Sequence, residues 1–142
     1  MKTIVPIDII TLGEDNSYHL LTSGSINGVN YFFLIDTGAS HTIFDSTLVP
    51  QVDETDSIYK EIQSAGIQSG ELKSSIGRIK KFKIGQLKLT EWTVVLIDLS
   101  HINSLYKKFT NKSIAGLLGG DFLLKHQAII DYKKKKLVLR KT

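Results

Sequence analysis

Leu34-Ile35-Asp36-Thr37-Gly38-Ala39 runs two apolar residues into an abrupt acid-hydroxyl-glycine turn. The β-branched and aromatic run from Tyr31 to Ile35 reads as a strand that stops at the acid, which puts the Asp36 carboxyl on a loop at a strand end. Rigid scaffolds commonly carry reactive groups on such loops, so Asp36 is the first candidate for chemistry. A six-position pattern of this degeneracy arises by chance in roughly one chain of this length in a thousand at average residue usage. Its weight therefore depends on a second signal. Far downstream, Ile114-Ala115-Gly116-Leu117-Leu118-Gly119-Gly120-Asp121-Phe122-Leu123 has the same apolar-apolar-glycine character.

The rest of the chain carries the period of strands. Tyr18, Leu20 and Thr22 alternate, as do Phe82, Ile84, Leu87 and Leu89, while Trp92 to Ile97 is a continuous apolar run of the kind buried on both faces. Turn signals at Gly13-Glu14-Asp15-Asn16, Asn27-Gly28, Gly85-Gln86 and the lysines 133–136 space these strands as a closed or sandwiched β domain requires. Asn27-Gly28 is a two-residue hairpin signal. The apolar run Ile4 to Ile10, interrupted by Pro6 and Asp8, reads as a further strand. Two short helices are expected: Ser100 to Lys108, opened by a Ser100 cap, and Asp121 to His126, where Asp121 caps the helix and complements its dipole.

Composition bounds the answer. The chain has 142 residues, 42% hydrophobic and 23% charged, with two prolines and no cysteine. That is the size of one globular domain with a core of its own. Without cysteine there is no disulfide, thiolate zinc site or cysteine nucleophile. Acids dominate Asp45 to Asp56 and lysines crowd Lys73 to Lys88 and Lys133 to Lys136, for a formal net charge of +4. The N-terminal run makes a poor secretory signal, and no stretch approaches the roughly 18 apolar residues of a membrane span. A cytoplasmic protein without membrane partners is the expectation.

Asp36-Thr37-Gly38 together with the later Leu117-Leu118-Gly119 resembles the retroviral-type, or retropepsin-like, aspartic proteases, over about Ile26 to Leu139. The resemblance implies a mainly β, closed acid-protease barrel with a flap hairpin and one or two short helices, in one domain spanning 1–142. In that family the Asp-Thr-Gly loop holds the catalytic acid, and the later segment packs beneath it before a short helix. By position, Ser64, Ala65 and Gly66 would form the flap tip over a bound peptide. Leu117 would line the primary substrate pocket and favour apolar residues at the cleavage site.

Peptide hydrolysis by carboxyl groups needs two of them sharing one proton, because a single acid cannot both activate water and protonate the scissile carbonyl oxygen. This chain holds one such motif and no internal repeat. The resemblance therefore implies a homodimer in which Asp36 of each copy meets on a two-fold axis, acting on a peptide or unfolded protein without metal or other cofactor. Thr37 would hydrogen-bond across that dimer, and Gly38 would let the backbone approach its counterpart. Ala39 stands where many monomeric relatives carry serine. Losing that donor predicts an optimum less acid than theirs, at about pH 5 to 6.5. Viral members often follow Asp-Thr-Gly-Ala with an acid and the later apolar-Gly with arginine. Here those positions are Ser40 and Gly120, so the dimer must be built otherwise, with Ala128 to Asp131 and Leu137 to Arg140 as candidate interface strands.

Other chemistries fit less well. Lys133 to Lys136 reads as a solvated turn, and without interleaved aromatic residues it implies no nucleic-acid partner. His41 and Asp45 are two ligands, too few for a metal site. No Gly-x-Ser-x-Gly elbow is present, and the glycine-rich 116–120 segment lacks the lysine of a phosphate loop. Trp92 reads as a core residue. The main rival is a non-catalytic peptide-binding or dimerisation module that keeps the retropepsin fold.

Overall fold

The structure is a computed structural model that describes residues 1–13, 17–50 and 74–141. Ser64, Ala65 and Gly66, the expected flap tip, lie outside the described residues. Along the chain run β1 (Lys2–Pro6), β2 (Asp8–Leu12), β3 (Ser17–Ile26), β4 (Val29–Ile35), β5 (Ile43–Asp45), β6 (Ser74–Ile79), β7 (Phe82–Ile84), β8 (Leu87–Leu89), β9 (Trp92–Ile97), α1 (Ser100–Phe109), β10 (Ile114–Leu118), α2 (Gly120–Lys125), β11 (Ile129–Asp131) and β12 (Lys136–Arg140). A nine-stranded sheet follows the order β6-β9-β5-β10-β4-β3-β7-β8, with β2 added on β3, and curls into a half-barrel. A smaller sheet joins β1, β12 and β11.

Local sequence explains the hairpin that leads to the site. Asn27 and Gly28 take φ of 50° and 86°, the two left-handed residues that let a two-residue turn match the twist of its strands. The turn sets the β3–β4 register at Ile26 opposite Val29, which brings Leu21 opposite Leu34 one residue before Ile35. The expected single strand over Ile4 to Ile10 is instead β1 and β2, split at Ile7, whose amide donates to the Lys135 carbonyl. Alternation also fails in β3, where Leu20, Leu21 and Thr22 are all buried while Tyr18 is 67% exposed. The cause is that both faces of this strand are covered. Leu20 joins the main cluster around Phe33, Phe44, Phe82 and Leu96, and Leu21 joins a second cluster with Leu12, Leu99, Tyr106 and Ile114 under α1.

Helix α1 begins where expected, yet Ser100 is not its cap. Leu99 holds the cap position and gives no side-chain bond, while Asp98 accepts from the Ser100 amide at 2.9 Å. Asparagine inside the helix ties it down: Asn103 donates to the Ile114 carbonyl at 2.9 Å and accepts from the Ile114 amide at 2.7 Å. Tyr106, 1% exposed, is the helix's anchor in the second cluster. Trp92 packs as expected, partly buried among Phe44, Phe82 and Phe122.

The three-stranded sheet is fastened to α2 through His126. Its ring is 2% exposed, its Nδ1 lies 3.1 Å from the Arg140 carbonyl, and its own carbonyl accepts from the Arg140 amide at 2.7 Å. Nδ1 then carries the proton, and Nε2 is buried with no partner among the described residues. Burial pushes the imidazole below its ordinary value of 6.5; the Arg140 carbonyl works against that shift and the nearby Lys125 charge adds to it. A depressed folded-state value means that the unfolded chain binds the proton more readily, so the stability that His126 contributes is present above about pH 6.5 and is lost as pH falls through the folded value. Urea unfolding followed from neutral to mildly acid pH should show this fall, and His126→Phe should flatten the slope over the same window.

Candidate active site

The strand order produces the site. The chain leaves β4, crosses over the end of β10 and returns as β5 on its other side, with β10 parallel to β4 and antiparallel to β5. Residues 36–42 form the crossing, so they must pass within contact of the β10 end and the start of α2. That contact explains two glycines. A Cβ on Gly119 would lie 2.7 Å from the His41 carbonyl and 2.8 Å from the Ala39 oxygen, and one on Gly116 would lie 2.6 Å from both the Ile43 oxygen and the Phe44 ring. Backbone atoms cannot yield by such amounts, so only glycine fits.

Hydrogen bonds lock the crossing from both sides. The Asp36 amide donates to the Leu118 carbonyl at 3.0 Å, the Gly120 amide to the Ala39 carbonyl at 2.7 Å and the Asp121 amide to the Ser40 carbonyl at 3.2 Å. Ser40 and Gly120 do not bond each other; each is held to the facing segment by main chain, Gly120 to Ala39 and Ser40 to Asp121. Asp121 was expected as a helix cap, but Gly119 holds that position and Asp121 lies within the first turn of α2. Its Oδ1 does accept from the Phe122 amide at 2.7 Å, but the same oxygen takes the Thr42 hydroxyl at 2.7 Å and Oδ2 takes the Thr42 amide at 3.1 Å. Thr42, 1% exposed, passes the interaction on, because its Oγ1 accepts from the Gly119 amide at 3.1 Å. These residues escaped sequence reasoning: Thr42 and Asp121 lie 79 positions apart, and nothing in the local pattern of either points to the other.

Asp36 stands at the end of β4 and is partly buried. Its Oδ1 accepts from the Gly38 amide at 3.0 Å, and the Ala39 amide closes the turn onto its carbonyl at 3.2 Å. Thr37 and Gly38 are exposed and Ala39 is partly buried. Among the described residues, a Cβ on Gly38 would meet the Asp36 carboxyl alone, at 3.4 Å. Asp36 and Thr37 border a cavity of about 300 Å³ shared with His19, Leu34, Tyr18 and Tyr132. Thr37 also borders a second hollow of about 380 Å³, with Gly120, Leu123 and Leu124. Leu117, the expected pocket residue, packs partly buried against the cluster beneath α1 together with Leu34 and Ile43. His41 is exposed and Asp45 buried, the latter accepting from the Thr47 amide at 3.1 Å.

A partly exposed carboxyl on a braced loop, carried by a curled β half-barrel and undercut by an apolar-apolar-glycine segment, defines a retropepsin-like fold. The chain belongs to the aspartyl protease family, whose model, described as "Aspartyl protease", matches residues 22–122. Among solved structures it resembles the retroviral protease-like domain of Ddi1 from Leishmania major, with 20% identity over 85% of this chain and 87% of that chain and a TM-score of 0.54. A retropepsin-like aspartic protease from Rickettsia conorii also matches, with 17% identity, 98% and 92% coverage and a TM-score of 0.47. No curated protein matches the chain.

The brace can be tested apart from chemistry. Thr42→Val keeps the shape but strands the Gly119 amide and removes one donor from Asp121, a loss of about 1 to 3 kcal/mol. The urea midpoint should fall accordingly, and amide exchange at Gly119 should accelerate more than at Leu96 in the main core.

Proposed function

We propose that residues 1–142 form one peptidase domain that works as a homodimer, with Asp36 of each copy contributing one carboxyl to a shared dyad. The observation that carries this reading is the setting of Asp36: a single acid on a loop held by main-chain bonds, its carboxyl oriented by the Gly38 amide and bordering a cavity. One carboxyl cannot perform both proton transfers of amide hydrolysis, and the sequence holds no second Asp-Thr-Gly. A second copy supplies the missing group.

The surface beside the loop suits that partner. Leu124 is 83% exposed, Ile129 54% and Tyr132 64%. Leu124 shares one hollow with Thr37 and Tyr132 shares the other. Exposed apolar groups of this kind favour a protein contact, and burying them against a two-fold mate would bring two Asp36 carboxyls together. This contact would use α2 and β11 in place of the missing viral ion pair, with the exposed Thr37 hydroxyl available across the axis.

In the dyad, one ionised Asp36 takes a proton from a bound water as that water attacks the scissile carbonyl carbon. The protonated mate donates to the carbonyl oxygen, giving a neutral tetrahedral gem-diol. Its collapse breaks the C–N bond as the amine nitrogen takes up a proton, and no covalent enzyme intermediate forms. Thr37, Gly38 and Ala39 shape the loop, and Ser64, Ala65 and Gly66 would close over the peptide. Leu117, beside Leu34, would set an apolar contact near the cleaved bond.

Cleavage of an unfolded protein or peptide library across roughly pH 4 to 7 tests the reading, and Asp36→Asn should reduce turnover by about 10²- to 10⁴-fold. Peptide binding without turnover in the parent would favour the non-catalytic module instead. Leu124→Lys should shift sedimentation from dimer to monomer and remove activity while leaving the unfolding transition of the single chain in place. A parent that cleaves as a monomer would defeat the shared dyad.

A further inference from the structure

The cavity beside Asp36 is bordered by His19, which the hydrolytic chemistry does not use and which has a buried partner, Tyr106, outside the cavity lining. Tyr106, brought up beneath the sheet by α1, places its hydroxyl 3.4 Å from Nδ1 of His19 on β3, with the two rings edge to face at 5.9 Å between centroids. Tyr106 is 1% exposed. Burial, and then the negative charge of Asp36, raise its phenol above the ordinary 10.0, so the hydroxyl keeps its proton; it is assigned as the donor of the pair, and that assignment sets the His19 tautomer. His19 then accepts at Nδ1. A neutral imidazole that accepts at one nitrogen carries its proton on the other, which makes Nε2–H a donor. His19 is only partly buried and borders the same cavity of about 300 Å³ as Asp36, so Nε2 is the polar atom that the ring has left to offer a ligand there.

We propose that His19 is a specificity-determining residue of the cleft, held by Tyr106 so that its Nε2–H receives the side-chain amide oxygen of a glutamine or asparagine in the substrate, close to the cleaved bond. The inference rests on the peptidase reading of Asp36. An amide fits this cavity better than the alternatives. A carboxylate would be repelled by the Asp36 charge sharing the space, and an apolar side chain would leave the His19 donor without an acceptor. The amide also brings N–H donors of its own. The phenols of Tyr18 and Tyr132, 67% and 64% exposed, border the cavity and can accept them.

The test uses peptides that differ only in glutamine against its near-isostere methionine, placed in turn at each position flanking the cleaved bond. The parent should favour glutamine at one position by about three- to tenfold in kcat/KM, the worth of one neutral hydrogen bond, expressed mainly in KM. His19→Leu should bring the ratio to one, His19→Gln should restore part of it, and Tyr106→Phe, which keeps the ring, should lower it by freeing the imidazole. Dissociation constants for the same peptides, measured on Asp36→Asn with and without His19→Leu, give a readout that needs no turnover. If the parent cuts neither peptide, the peptidase reading fails, yet a glutamine preference in binding that vanishes with His19→Leu still upholds the role of His19. If the parent cuts peptides with no glutamine preference, or the preference survives His19→Leu, the role assigned to His19 is overturned.

Discussion

Everything near Asp36 depends on the Asp121–Thr42–Gly119 linkage. A loop that crosses over the end of a strand has no ladder of its own, so its polar groups must be satisfied one by one. The Asp121 carboxyl accepts the hydroxyl and amide of Thr42, and the Thr42 hydroxyl in turn accepts from Gly119. Main-chain bonds from Gly120 and Asp121 to Ala39 and Ser40 complete the joint. Each bond alone is worth about a kilocalorie, and those to the carboxyl somewhat more. Their shared consequence is geometric, because they fix where β4 ends and therefore where the Asp36 carboxyl can point.

The joint also ties the two loops without an ion pair between positions 40 and 120. An acid at position 40 and an arginine at position 120 would tie the two loops by charge. With Ser40 and Gly120 there, the tie is made by main chain and by Thr42, a neutral hydroxyl buried at 1% exposure. Such a bond is less sensitive to salt than an exposed ion pair. In the homodimer proposed above, association would draw on apolar surface, of which Leu124, Ile129 and Tyr132 are exposed examples.

How much of this was legible in the sequence follows from the range of the interactions. The strand end before Asp36, the Asn27-Gly28 turn and the start of α1 announce themselves locally, through turn chemistry or helical pattern, and the structure has each of them where the sequence puts it. Gly116 and Gly119 were legible as a motif, but their reason was not. It lies in contacts with Ile43, Phe44, Ala39 and His41, far away in sequence. Tyr18 was misjudged because alternation assumes one buried face, whereas β3 is covered on both faces along Leu20 to Thr22 and opens at its start, beside the cavity. Ser100 is not the cap, because Leu99 takes that position and Asp98 accepts from the Ser100 amide, a displacement that propensity alone does not resolve. Asp121 and His19 show the deepest limit. Asp121 has a plausible local reading as a helix cap and His19 belongs to no local motif, and each acquires its contact from a residue that only folding delivers.

Helix α1 makes the last connection. It inserts between β9 and β10, and two anchors hold it: Asn103 on the Ile114 backbone and Tyr106 in the second cluster. That cluster is the one that Leu34 and Leu117 join from the sheet. Leu34 sits two residues before Asp36, and side chains two apart in a strand share a face. The helix therefore packs on the side of the sheet toward which the β4 alternation also directs the acid. A change in α1 reaches the cavity along two routes, apolar packing through Leu34 and the Tyr106 hydroxyl through His19. On the proposed peptidase reading, specificity would vary with α1, while the crossing loop that carries Asp36 remains constrained by its own hydrogen bonds.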